Sequence, residues 1–220
     1  MRIGIVGAGR IGGNLARLWA RAGRDAAGLP ARAASLGDHV SAATPAHAVA
    51  AADVVLLAVP WSVIGDALAQ VGELAGKVVI DATNQFGAAA KPAAGQTVAQ
   101  YNSARMPGAR YVRAFNTLTA GFQAEASGRP VDQRVVMFLS GDFAEAKRVV
   151  AGLIDDAGFV PFDIGTAAAA AIMEAPRRPG AGYGEEFTLP QAQAFITSVR
   201  PRDRRAVRRL GQARAPGRGD

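Results

Sequence analysis

Gly7, Gly9 and Gly12 fall at the spacing GxGxxG, directly behind Ile3, Ile5 and Val6 and directly ahead of Leu15, Leu18 and Trp19 at helical intervals. Each glycine meets a separate demand. Gly7 lets the chain turn sharply out of a strand, Gly9 leaves its backbone open to a pyrophosphate, and Gly12 lets the next helix lie close against that strand. Ala8, Arg10 and Ile11 complete the turn, and the free N–H groups at the positive end of the helix face the phosphates. The chemistry this spacing offers is capture of a dinucleotide by backbone.

Further candidates stand at the carboxyl ends of later strands, where a doubly wound sheet opens its ligand crevice. Ala58, Val59 and Pro60 end the run from Asp53 and fall beside a ribose or nicotinamide. Ala82, Thr83 and Asn84 follow the strand Lys77 to Asp81. There an amide and a hydroxyl could hold a carboxamide, while Asn84 could equally cap the next turn. Asn116 and Thr117 follow the alternating strand Tyr111 to Phe115. An Asp or Glu at the end of the second strand would hold the adenosine ribose of NAD. The sequence instead has Leu29-Pro30-Ala31-Arg32 there. Arg32 either pairs with the extra phosphate of NADP, which suits a planar guanidinium, or is an ordinary surface arginine. The missing acid favours NADP over NAD.

Nothing else in the sequence offers a reaction of its own. The chain has no cysteine, which excludes thiolate zinc sites, disulfides and cysteine nucleophiles. It shows no metal-spaced cluster and no GxSxG turn. Neither His39 nor His47 has a catalytic partner, Trp61 reads equally as a packing residue at a helix start or as part of the crevice, and Asp81 is the one carboxylate at a strand end. No catalytic side chain and no metal ligand are assigned. What remains is hydride transfer by a bound nicotinamide, with the protein supplying orientation and exclusion of water. Without a proton donor, the acceptor that fits is a flavin-like ring rather than a simple ketone.

The elements that must position these residues alternate strand and helix. A poor strand covers Asp25 to Gly28, Thr44-Pro45 opens a short helix, and a helix runs from Trp61 to Leu74 with Val63 on its apolar face. One helix is expected near Thr97 to Ala104, and a surface excursion at 121–130. A strand covers Arg134 to Leu139. Asp142 and Glu145 then form a capping box for a helix whose stripe includes Phe143 and ends at Gly158. An edge strand from Phe159 to Ile164, a helix from Thr166 to Met173 and a last helix near Leu189 to Ile196 complete the order. This predicts a Rossmann-type, doubly wound α/β fold with a mostly parallel sheet. Its parts are a dinucleotide-binding domain over 1–165, an extension over 166–197 completing it, and a disordered basic tail over 198–220.

The formal charge of +7 sits mostly in that tail, where Ser198 to Asp220 holds eight arginines and two aspartates. It reads as solvated rather than as a nucleic-acid arm. The longest apolar run, Val54 to Val59, is too short to span a bilayer, and no secretory signal is visible, so a cytoplasmic protein is expected.

The turn Met1 to Gly12, Ala58-Val59-Pro60-Trp61, Asp81-Ala82-Thr83-Asn84, Ala114 to Leu118, and Gly141-Asp142 to Gly158 occur in this order. Together they resemble the NADPH-dependent reductases of the deazaflavin coenzyme F-420 (F420), over roughly Met1 to Gly165. The resemblance implies NADP on the glycine turn, with Ala8 to Gly12 at the phosphates. It also implies Val59 and Ala82 near ribose and nicotinamide, the segment after Asn116 near the ring, a small-molecule hydride acceptor (F420 or a flavin) and a homodimer. Two features depart from the family. Its frequent Ser-Arg pair is replaced by Pro30 and Ala31, leaving Arg32, and Ala175 to Gly184 is loop-like where the family has a helical segment. Two other readings stand beside it. An imine or pyrroline reductase would usually add an all-helical dimerisation region, and a non-catalytic NADP-sensing module would use the basic tail on a partner.

Overall fold

The β-branched run at the amino terminus becomes the central strand. The computed structural model describes residues 1–7, 9–28, 33–87 and 90–199. The expectations for Ala8, Arg32 and the tail from 200 onward fall outside the described residues. Strands β1 (Arg2–Val6), β2 (Asp25–Gly28), β3 (Val40–Ser41), β4 (Val54–Leu57), β5 (Val78–Asp81), β6 (Arg110–Ala114), β7 (Val136–Ser140) and β8 (Val160–Asp163) form one sheet in the order 3-2-1-4-5-6-7-8. All neighbours are parallel except β6 and β7, where Arg113 pairs with Ser140 and Ala114 with Leu139. The fold is Rossmann-like, and the order reverses between β1 and β4.

Alternate residues of the strands feed two cores. Ile3, Ile5, Val54, Leu56 and Ile80 face one layer, containing α1 (Arg10–Arg21), α5 (Ala120–Ala126) and α6 (Ala144–Asp156). Val6, Val55, Leu57, Val79 and Phe138 face the other, containing α2 (Pro45–Ala50), α3 (Ile64–Val71), α4 (Val98–Ala104) and α7 (Leu189–Val199). Both sheet faces are therefore apolar, as parallel strands covered on each side require. Thr44 caps α2 as expected, and α4 lies where a helix was expected, with Thr97 forming a full capping box with Gln100. No helix among the described residues is long and apolar enough to cross a membrane.

Several elements differ from expectation. Residues 121–130 open with helix α5: Thr119 accepts from the Phe122 N–H, and the buried Gln123 side chain donates to the Phe115 and Leu118 carbonyls. Asp142 does not cap α6. Phe143 is the N-cap, exposed rather than part of the stripe, and Asp142 accepts from the Ala167 N–H at 3.1 Å. The segment from Trp61 divides into a 3-10 turn (Trp61–Val63) and α3, and it ends at Gly72 because that residue has φ +73°. Val63 lies in the turn and is exposed. Ala167–Met173 is a 3-10 helix.

Candidate functional site

The crevice opens where the strand order reverses, and β1 and β4 build its first wall. Gly7 has φ +118°, and a Cβ there would lie 2.3 Å from the Ala58 carbonyl oxygen. A Cβ on Gly12 would lie 2.1 Å from the Gly7 carbonyl oxygen. Both glycines are thus demanded by the packing of strand against helix. Gly9 is different. It is the N-cap of α1 with φ −72° and ψ −169°, an extended conformation open to any residue, and a Cβ there would meet nothing within 4 Å. No steric contact within the fold demands a glycine at this position. No side chain caps the first turn of α1, which also lacks acidic residues, so its N–H groups face open space.

A cleft of about 360 Å³ lies against this turn. Gly9, Arg10 and Ile11 form its first side, Ala58, Val59 and Pro60 its middle, and Ala82, Thr83 and Asn84 its far side, so nine predicted residues meet there. Ser62 and Phe86 also line it and were not predicted to. Trp61 both packs and lines the cleft: its ring is 5.9 Å from that of Tyr101, and its indole donates to the Ala90 carbonyl, tying the wall to the following loop. Among the described residues that line the cleft, none is Asp, Glu, His or Lys.

Asn116 and Thr117 lie behind the cleft rather than along it. The Asn116 amide donates to the Met173 carbonyl at 2.6 Å and to Asn84 Oδ1 at 3.3 Å, and the Asn84 amide donates back to the Asn116 carbonyl. The Thr117 carbonyl accepts from the Gly184 N–H. The pair therefore fastens both the Asn84 side chain and the extension. Phe115, just before, holds φ +60° while fully buried edge-on against Trp19. Left-handed backbone at an aromatic residue is strained, and packing holds it here.

Asp81 is no free acid. Its carboxylate accepts from the Thr83 N–H (2.8 Å), Asn102 (2.8 Å), the Tyr111 hydroxyl (2.6 Å) and Arg113 Nη1 (2.9 Å). Arg113 Nη2 donates in turn to the Thr83 carbonyl at 2.7 Å, and Arg113 Nε lies 3.9 Å from the Glu174 carboxylate. Asp81 and Arg113 are fully buried. Burial lowers the guanidinium's proton affinity, but the facing Asp81, Tyr111 and Glu174 outweigh it and raise it above the usual arginine value. Burial, reinforced by the Asp81 charge, pushes the Tyr111 hydroxyl well above the ordinary phenol range. This cluster clamps the Ala82-Thr83-Asn84 turn from behind. One signal for it was readable: an arginine within the apolar run Tyr111 to Phe115 requires a buried carboxylate.

A family model described as NADP oxidoreductase, coenzyme F420-dependent, matches residues 2–85. A hypothetical protein from Sinorhizobium meliloti is 36% identical, with 86% of this chain and 96% of that one covered and a TM-score of 0.72. A protein from Arthrobacter sp. FB24, described as a candidate F420-dependent NADP reductase, is 26% identical, covering 76% of this chain and 86% of that one at a TM-score of 0.64. A reductive aminase from Aspergillus terreus in complex with NADPH shares the fold at 24% identity and a TM-score of 0.56, covering 77% of this chain and 56% of that one. No curated protein matches the sequence.

Proposed function

Since the chain belongs to the family of coenzyme F420-dependent NADP oxidoreductases and is an NADP-dependent oxidoreductase, we propose that it transfers hydride between NADPH and a flavin-like acceptor, F420 or a flavin. The observation that carries the binding side is Gly9, whose missing Cβ serves no contact within the fold. On this reading the backbone from Gly7 to Gly12 and the first turn of α1 receive the pyrophosphate. Arg32 is assigned to the extra phosphate of NADP. The turns Ala58 to Pro60 and Ala82 to Asn84 flank the ribose and nicotinamide. When bound, the cofactor supplies a hydride, and the matching proton of a two-electron reduction comes from solvent.

The protein's own contribution is placement. Arg113 holds the Thr83 carbonyl and Asp81 holds the Thr83 N–H, so the far wall is fixed before any ligand arrives. Such preorganisation favours transfer between two stacked rings, which needs distance control and dryness more than proton transfer. An imine-type acceptor would gain from an acid at the wall, and the described lining residues offer no carboxylate, histidine or lysine. The test is NADPH oxidation by the purified protein with F420, FMN, FAD and a cyclic imine in parallel. Turnover with a tricyclic ring supports the proposal; turnover with the imine alone, or with none, contradicts it.

A further inference from the structure

Phe86 is the one aromatic residue at the cleft that the fold does not bury. It stands five positions past the end of β5, on the wall of the cleft away from Gly9 and Arg10, and 57% of its surface is exposed. Its aromatic neighbour is Tyr183, whose ring meets it edge-on at 6.3 Å with the planes at 65°. Tyr183 belongs to the extension, in the loop from Ala175 to Gly184. It is firmly placed all the same. The Gly184 N–H donates to the Thr117 carbonyl, the Gly182 N–H donates to the Ile172 carbonyl, and a Cβ on Gly182 would press to 2.9 Å from the Phe138 ring. Met173, at the start of the extension, is fastened by Asn116. Two rings from distant parts of the chain are thus brought to one rim. Phe86 turns more than half its surface outward, and the Tyr183 hydroxyl has no hydrogen-bond partner among the described residues.

We propose that Phe86 and Tyr183 form the stacking edge that selects a planar, fused-ring hydride acceptor, and that the loop carrying Tyr183 completes the acceptor side of the cleft. This rests on the reading of the cleft as an NADP site. Under that reading the phosphates lie at Gly9 and the nicotinamide toward the ends of β4 and β5, and Phe86, five residues past β5, lines the same cleft. The rim carries aromatic faces and a hydroxyl, and stacking on such faces recognises ring shape rather than charge. A tricyclic isoalloxazine or deazaflavin offers a broad flat face for such a pair to stack on, whereas a small aliphatic imine offers none. Flavins and the deazaflavin F420 share this fused three-ring shape and differ at the central ring, where carbon replaces a nitrogen, and in their side chains, so the two are told apart by comparing FMN with F420.

The test follows acceptor fluorescence as the full-length protein is added, with and without NADP⁺, and measures NADP⁺ binding separately by calorimetry. Wild-type protein is expected to quench FMN or F420 saturably. Phe86→Ala and Tyr183→Ala should each weaken acceptor binding about tenfold, within the range of one aromatic stacking contact, with NADP⁺ affinity in Tyr183→Ala, whose ring is not among the residues lining the cleft, held within about twofold. Tyr183→Phe should match wild type, since the ring and not the hydroxyl is used. Unchanged acceptor affinity in Phe86→Ala overturns the proposal. So does loss in Tyr183→Phe equal to that in Tyr183→Ala, or wild-type protein that binds NADP⁺ but neither acceptor. Acceptor binding that depends on Phe86 without any NADP⁺ binding would instead uphold this edge and contradict the parent reading.

Discussion

Replacing Gly9 separates what the turn does for the fold from what it does for a ligand. Its φ of −72° suits any residue, and a Cβ there meets nothing within 4 Å. Gly9→Ala therefore gains a few tenths to about 1 kcal/mol from a less flexible unfolded chain. It loses a similar amount because alanine is a poor N-cap. The net change in stability is expected within about 1 kcal/mol, or roughly 2–4 °C in Tm for a chain of this size. Gly12→Ala is the contrast, because its Cβ would sit 2.1 Å from a backbone oxygen and the helix must move. Overpacking of that kind costs about 1–3 kcal/mol. For binding the order reverses. Gly9→Val fills the space assigned to the pyrophosphate, and loss of two charge-assisted hydrogen bonds is worth about 3 kcal/mol or more, over a hundredfold in affinity. The assay is a thermal melt paired with an equilibrium titration of NADPH fluorescence. Gly9→Val with a wild-type melt and no binding supports the assignment. Wild-type affinity in that variant would refute it.

Three further outcomes follow from the clamp and the cofactor turn. Arg113→Met leaves Asp81 buried without its partner and should cost about 3–5 kcal/mol in chemical denaturation; a loss below about 1 kcal/mol would show that the clamp is not held by that pair. Burial and the facing Asp81 carboxylate make Tyr111 keep its proton in the folded protein well above the ordinary phenol range. Stability contributed by its raised pKa is therefore intact below about pH 10 and falls above it, as the unfolded chain releases a proton that the folded chain retains. Tyr111→Phe should flatten part of that alkaline slope, and an unchanged slope would contradict the assignment. Arg32→Ala should weaken NADPH by on the order of 1–3 kcal/mol, the worth of a charge-assisted bond, and leave NADH unaffected. Equal weakening of both in parallel titrations would move the phosphate contact elsewhere.

Local constraints made much of the fold readable. Gly7 and Gly12 are fixed by contacts within a few residues of each other and of Ala58, and the β-branched runs of β1, β4 and β5 declare themselves without help. Where sequence reasoning failed, a distant partner had intervened. Asp142 had the spacing of a cap, yet its carboxylate serves Ala167, 25 residues on. Gly121, Gly128 and Pro130 signalled a loop, while α5 is secured by Gln123 reaching back to Phe115 and Leu118. The reversal of β7 and β8 depends on how α5 returns the chain to the sheet, which no local pattern declares. Within the site, the strand-end triplets were legible because the parallel sheet gathers its carboxyl ends. The clamp was not, because Asp81 and Arg113 meet across 32 positions and an arginine inside the run Tyr111 to Phe115 was its one cue. Phe86 and Tyr183 were missed for the same reason, since their juxtaposition exists only after the extension folds back onto Thr117.

Calorimetric titration of the purified wild-type protein with NADPH, NADP⁺, NADH and NAD⁺ addresses the dinucleotide cradle at the head of β1 most directly. One site per chain, with the phosphorylated pair bound more tightly, is the predicted result. Absence of heat from all four nucleotides would contradict it.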